Sequence, residues 1–219
     1  MIKLPDFTIP FEYENNFYLS CDSQRMAKSI AHFKFLETSA PIPGEIIECG
    51  VFKGASLSRL AMFRKILNLE EKSLIGFDTF GKFPETNYDQ DKELREEFIN
   101  TSGDESIDKD QLLQVLRSKD CALNTELVKG DITQTVPEYV AQNPSLKISL
   151  LNIDVDVFEP TQTILDYFYN CVTKGGILIL DDYNSFPGET NAIDQFFKDK
   201  QESIQDPLFS DTPYFVVKE

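Results

Sequence analysis

Three aspartates carry the strongest chemical signal in the sequence. Asp154 follows the apolar run 148–153 (ISLLNI), and Asp181 and Asp182 follow the apolar run 177–180 (ILIL). Such runs read as buried strands, and neighbouring strands in a parallel sheet lie about 5 Å apart. Carboxylates at their ends can therefore converge. Oxygen-only ligands with room for water suit Mg²⁺, with Mn²⁺ or Ca²⁺ as related choices. Each acid alone would also serve as a helix N-cap. Three of them beside one cavity, with no basic residue adjacent in the chain, point to a metal. Asp156 and Glu159 are close by, and Asp156 is expected to turn away or to cap the helix beginning near Pro160.

A second group surrounds a glycine turn. Glu48-Cys49-Gly50-Val51-Phe52-Lys53-Gly54 follows a strand and opens a helix. Glycines there let the backbone pass close to a ligand. The turn is not GxGxxG, the pattern that suits a dinucleotide pyrophosphate. A carboxylate at the strand end instead suits a cationic group such as the amino group of an amino acid, which S-adenosylmethionine carries and NAD does not. Asp78, at the end of the next strand, is placed to hydrogen-bond ribose hydroxyls. Gly130-Asp131, after a third strand, places a carboxylate or backbone near an adenine amino group. The candidate cofactor-lining residues are therefore Glu48, Gly50, Phe52, Lys53, Gly54 and Ser56 on the first turn. Thr79 joins Asp78 on the second, and Gly130 and Asp131 form the third. His32, the single histidine, reads as structural or surface, and Cys49 as a small buried residue.

These groups need a scaffold that delivers strand ends to one edge. Helical spacing runs over 23–38 and 55–68, and again over 110–118, 161–170 and 192–200. Strands are expected at 45–49, 73–77, 126–129, 148–153, 177–180 and 214–218. Apolar strands alternating with helices imply one α/β domain: a doubly wound, Rossmann-like, mostly parallel sheet with helices on both faces. Its ligands belong at the carboxyl ends of the strands.

Composition narrows the partners. The chain has 219 residues, with 37 Asp+Glu against 21 Lys+Arg and a net charge of −16. A nucleic-acid or anionic-membrane binder needs a basic face, so neither partner is expected. No window is apolar enough to span a bilayer and residues 1–16 lack a signal-peptide core. Four dispersed cysteines read as free thiols of the reducing cytoplasm. The acid is concentrated: ten acidic and three basic residues lie between Glu85 and Asp110. Residues 82–109 thus form an acidic insertion, either a lid over the acceptor site or a solvated surface segment. Residues 1–40 form an N-terminal segment and helix.

Five segments together, IIECGVFKGAS (46–56), GFDTFGKFPE (76–85), LVKGDITQTVPE (127–138), LLNIDVDVFEPT (150–161) and GGILILDDYNSFPG (175–188), resemble the successive motifs of the TylF-like (macrocin) O-methyltransferases. The resemblance spans about Pro43 to Phe197. It departs from the usual GFDTFEGFP at Gly81-Lys82, and little N-terminal extension is present. It implies a class I methyltransferase fold and an enzyme that uses S-adenosylmethionine and Mg²⁺. It implies that Glu48, Gly50, Gly54 and Asp78 line the cofactor pocket, that Asp131 helps hold the adenine, and that Asp154, Asp181 and Asp182 hold the metal. The acceptor expected is a small hydroxylated molecule, a sugar by the resemblance, with Asp154 as the metal-linked catalytic base; a homodimer is one possible assembly. Alternatives are a non-sugar acceptor, an inactive cofactor-binding module, which would be expected to have lost the three acids, and a nucleotide-dependent reductase, which the missing GxGxxG disfavours.

Overall fold

The central strands are buried at nearly every position, because successive side chains point to opposite faces and helices cover both. The computed structural model describes residues 2–219. Six strands, β1 (Glu45–Cys49), β2 (Leu74–Asp78), β3 (Thr125–Lys129), β4 (Ile148–Ile153), β5 (Val172–Leu180) and β6 (Tyr214–Val217), form one sheet in the order β3-β2-β1-β4-β5-β6. All neighbours are parallel except β5 with β6. One face carries Ile47, Cys49, Leu151, Ile153, Leu178 and Leu180 against α6 (Ile132–Gln142), α7 (Phe158–Phe168) and α8 (Pro187–Phe197). The other carries Ile46, Leu150, Ile177 and Ile179 against α2 (Ser23–Ser39), α3 (Ala55–Ile66) and α5 (Lys109–Ser118). The doubly wound α/β expectation is met.

Strand order reverses between β1 and β4, which opens a crevice at their carboxyl ends. The backbone ladder continues past the strands there. Gly50 N–H donates to the Phe77 carbonyl at 2.9 Å, Asp154 N–H to Cys49 at 2.9 Å, and Asp181 N–H to Ile153 at 3.0 Å. The glycine turn and both acidic turns are therefore hydrogen-bonded side by side. Gly50 is needed for this contact: a Cβ would fall on the Asp154 carbonyl oxygen, and its φ of +90° is left-handed. The reading that this glycine serves ligand approach is thus incomplete, since its missing side chain first lets β1 and β4 turns touch.

Several elements differ from the sequence pattern. A helix α1 (Pro10–Ser20) precedes α2, buries no residue and has no stripe of apolar side chains. Pro137 obscures α6, which the periodicity did not mark. The helix expected from Pro160 begins two residues earlier, at Phe158. Proline is tolerated in a first turn, where its N–H would lack a helical partner. Likewise α8 begins at Pro187 rather than Ala192, and β5 runs through Gly175-Gly176 instead of starting after them.

The acidic insertion is structured. It contains α4 (Lys92–Ser102), which ends at Gly103, and it is tied to the core by a buried carboxylate. Asp91 accepts from Phe158 N–H at 3.0 Å and Gly188 N–H at 2.7 Å, at the starts of α7 and α8. Helix N-termini favour negative charge, so one side chain caps two helices. Gly188 permits the approach, because a Cβ there would overlap the Asp91 carboxylate. Arg95 holds the segment's entry through the carbonyls of Pro84 (2.7 Å) and Phe83 (3.1 Å). Glu159 of α7 accepts from Thr86 Oγ1 at 3.0 Å and Asn87 N–H at 2.8 Å.

Replacing Asp91 with alanine leaves two helix-terminal N–H groups unpaired. We expect a loss of about 2–4 kcal/mol in urea unfolding and faster hydrogen exchange at Phe158 and Gly188. The exposed Glu93→Ala should change stability by under about 0.5 kcal/mol. Equal stability of the two variants would show that Asp91 does not anchor the segment.

Candidate functional site

A cleft of about 600 Å³ opens at the carboxyl ends of the strands. Gly50, Phe52, Lys53 and Ser56 line it from the first turn, Asp78 and Thr79 from the second, and Asp131 from the third. Asp154, Asp181 and Asp182 line the opposite side. Glu48, Gly54 and Gly130 sit behind this surface rather than on it.

Each turn has a physical reason for its shape. Asp78 is buried and its Oδ2 accepts from Val51 N–H at 2.9 Å and Phe52 N–H at 3.0 Å. Its Oδ1 accepts from Phe80 N–H at 2.6 Å. The acid of β2 thereby fixes the glycine turn after β1. Asp131 caps α6, accepting from Thr133 N–H at 2.8 Å and Thr133 Oγ1 at 2.7 Å. Lys53 donates to the Ser102 carbonyl and so links the turn to the end of α4. Phe98 of α4 meets Phe52 at 5.3 Å and Phe83 at 5.6 Å, forming an aromatic outer wall.

Glu48 is fully buried, with Ser56 Oγ donating to its Oε1 and no partner on its Oε2. Burial pushes its carboxyl up to about 8. The folded protein therefore keeps a proton here that an unfolded chain would lose. That contribution to stability is full below the unfolded value of 4.5 and declines as pH rises toward 8.

Across the cleft, one carboxylate oxygen from each of Asp154, Asp181 and Asp182 lies within 4.8 Å of the others. Like charges this close, with Asp181 buried and Asp154 and Asp182 half-buried, cannot all ionise freely. Burial, then the two neighbouring aspartates, raises Asp154 well above the carboxylate range. Burial, then Asp156 and Asp181, does the same to Asp182. Asp181 is the exception. Burial opposes its ionisation, but His32 and Lys28 beside it hold it down to about 2.

Four more residues belong to this cluster: Lys28 and Glu189, which sequence reasoning did not mark, and His32 and Asp156, which it set aside. Lys28 Nζ pairs with Asp181 Oδ2, so the three acids are not uncompensated as the chain order suggested. His32 sits one turn further along α2, fully buried, with Nε2 3.4 Å from Asp181 Oδ1. Burial lowers its pKa and favours the neutral ring. Asp156 does not cap α7, whose N-cap is Val157. It adopts a left-handed φ of 63° and turns its side chain to Asp182. Glu189 of α8 is buried and accepts from Asp182 N–H at 3.0 Å. The i, i+4 spacing of Lys28 and His32 was a visible signal for one helix face; nothing in the sequence placed that face on Asp181.

The donor set fits a hard divalent cation. It is all oxygen, and buried Asp181 Oδ1 and Asp182 Oδ2 lack a hydrogen-bond partner. The glycine-turn side fits an amino group for a similar reason: Glu48 Oε2 is a buried oxygen without a hydrogen-bond partner.

Known proteins share this arrangement of strands and turns. The chain is 23% identical over 159 residues to demethyldecarbamoylnovobiocin O-methyltransferase of Streptomyces niveus, covering 71% of this chain and 58% of that protein. It is 24% identical over 147 residues to mycinamicin III 3''-O-methyltransferase of Micromonospora griseorubida, covering 65% and 56%. The chain thus spans under two thirds of these curated relatives. The crystal structure of CalS11, a calicheamicin methyltransferase, superposes with a TM-score of 0.80 at 26% identity, over 95% of this chain and 86% of that one. The O-methyltransferase NovP superposes at 0.76 with 18% identity, over 88% and 79%. The sheet is therefore a class I methyltransferase fold. Residues 22–212 match the family model of the macrocin O-methyltransferases (TylF), and the chain belongs to that family.

Proposed function

We propose that the protein transfers a methyl group from S-adenosylmethionine to a hydroxyl of a sugar or sugar-containing small molecule, with Mg²⁺ held by Asp154, Asp181 and Asp182. The observation that carries this reading is the pairing across one cleft of the Asp78-braced glycine turn and three converging carboxylates, two of them with orphaned oxygens. The names of the relatives, which include a mycinamicin III 3''-O-methyltransferase, support the sugar acceptor. So does CalS11, described in its apo form as a TDP-rhamnose 3'-O-methyltransferase. Four free cysteines fit a cytoplasmic setting. Among the described residues no helix is long and apolar enough to cross a membrane.

The bound cofactor would supply an activated methyl group, and the bound cation a positive charge that stabilises a developing alkoxide. The chain's own residues do the rest. Glu48 would hold the amino group of the cofactor from behind the cleft surface, Asp78 would hold its ribose, and Gly130 and Asp131 its adenine end. Asp154, ionised beside the bound cation, would take the proton of the acceptor hydroxyl, a role its place on the cleft wall next to Asp181 and Asp182 allows. Phe52, Phe83 and Phe98 close the outer wall and keep water from the reacting pair. Residues 82–109, anchored by Asp91, carry two of those rings as a cover over the acceptor side.

Excess EDTA should abolish methyl transfer to a panel of nucleotide sugars and glycosides, and added Mg²⁺ should restore it; full turnover in chelator would remove the metal from the reaction. Asp182→Asn should lower turnover by about 100-fold while S-adenosylhomocysteine still binds by calorimetry.

The cofactor ammonium should strip the Glu48 proton. Titrating S-adenosylhomocysteine at pH 7 in buffers of different ionisation enthalpy should then show release of roughly one proton, absent in Glu48→Gln. That variant should also lose the fall in stability between pH 5 and 8. Identical proton release from both proteins would place the amino group elsewhere.

A further inference from the structure

We propose that Lys28 is a resident cation of the acidic cluster, one that a divalent metal displaces. The inference rests on the proposed metal site and adds to it a built-in competitor. The Lys28 ammonium contacts Asp181 Oδ2, and among the described residues it is the one lysine or arginine paired with any of the three acids. One oxygen from each of Asp154 and Asp182 lies within 4.8 Å of one on Asp181, so the field of the ammonium reaches all three proposed ligands.

Three features make the position a deliberate one. First, α2 is fixed: Asp22 caps it by accepting from Arg25 N–H at 2.9 Å, and Ala31, Phe35 and Leu36 on the same helix are buried in the core. Second, the neighbouring base cannot substitute. His32 is fully buried, does not line the cleft, and neither ring nitrogen has a hydrogen-bond partner. Third, Lys28 is not sealed in. Its side chain is 29% exposed and lines the cleft, whereas Asp181 is 2% exposed. A flexible four-carbon stem can leave while the carboxylate stays.

The physical consequence is competition. A dication and an ammonium ion seek the same Asp181 lone pairs and repel each other at contact distance. Without any cation, three carboxylates this close, one buried and two half-buried, would be costly to hold together. Lys28 relieves that cost in the metal-free protein and lowers the net affinity of the site for a metal.

The test is Mn²⁺ binding to the full chain at fixed pH, by calorimetry and by the loss of the free-ion electron paramagnetic resonance signal. Thermal unfolding is measured with and without Mn²⁺. Lys28→Met should bind Mn²⁺ about tenfold more tightly than the wild type. It should melt lower than the wild type without metal and gain more on adding it. Lys28→Arg keeps the charge and should bind Mn²⁺ like the wild type. Lys28→Gln serves if the methionine variant does not fold. Unchanged or weaker Mn²⁺ binding by the neutral variants, with normal binding by the wild type, would overturn the displacement role and leave the metal site standing. Absence of Mn²⁺ binding by wild type and variants alike would overturn both.

Discussion

Mutual repulsion among closely packed carboxylates, two buried and three half-buried, is the constraint around which this molecule is arranged. Asp154, Asp156, Asp181, Asp182 and Glu189 converge at the carboxyl ends of β4 and β5. Burial raises four of them, and each also feels at least one of the others. Such a group persists only where the surroundings over-determine it. The parallel ladder supplies part of that, since Asp154 N–H and Asp181 N–H are hydrogen-bonded to the next strand. The rest comes from outside the strand turns: Lys28 and His32 from α2, and Glu189 from α8 holding the Asp182 backbone.

The same economy appears where elements touch. Gly50 gives up a side chain so that its turn can lie against the Asp154 carbonyl, and Gly188 does so for the Asp91 carboxylate. Both contacts join segments distant in sequence, and both lie next to the cleft. The first holds the cofactor turn against the acidic turn. The second holds the acidic insertion against the helices that follow Asp154 and Asp182. The large negative charge of the chain is thus partly spent on anchoring: Asp78, Asp91, Asp131 and Glu159 each accept from backbone N–H groups.

Strong local patterns were legible. Apolar runs marked β4 and the core of β5, short apolar stretches before the glycine turn and before Asp78 marked β1 and β2, and helical spacing over 23–38 marked α2 to within a residue. Elements whose cues conflict were not. Pro137 inside α6 argued against a helix that packing on β2 and α7 sustains. Gly175-Gly176 looked like a turn, yet the chain continues as β5 because β4 pairs along it with an irregular register. α1 has neither a buried face nor a strong apolar stripe to announce it.

From the sequence alone came the strand-end acids, the glycine turn and the doubly wound sheet, because each is written in residues close together along the chain. Tertiary structure decided what those acids meet. Lys28 lies 153 positions from Asp181, and no local pattern encodes that contact. It follows from α2 docking on the face shared by β4 and β5. Asp156 turned toward Asp182 rather than capping α7 because its left-handed backbone aims it there and Asp91 already serves the helix start. Side-chain type is a property of the chain. The charge state of a buried carboxylate belongs to its neighbours in space.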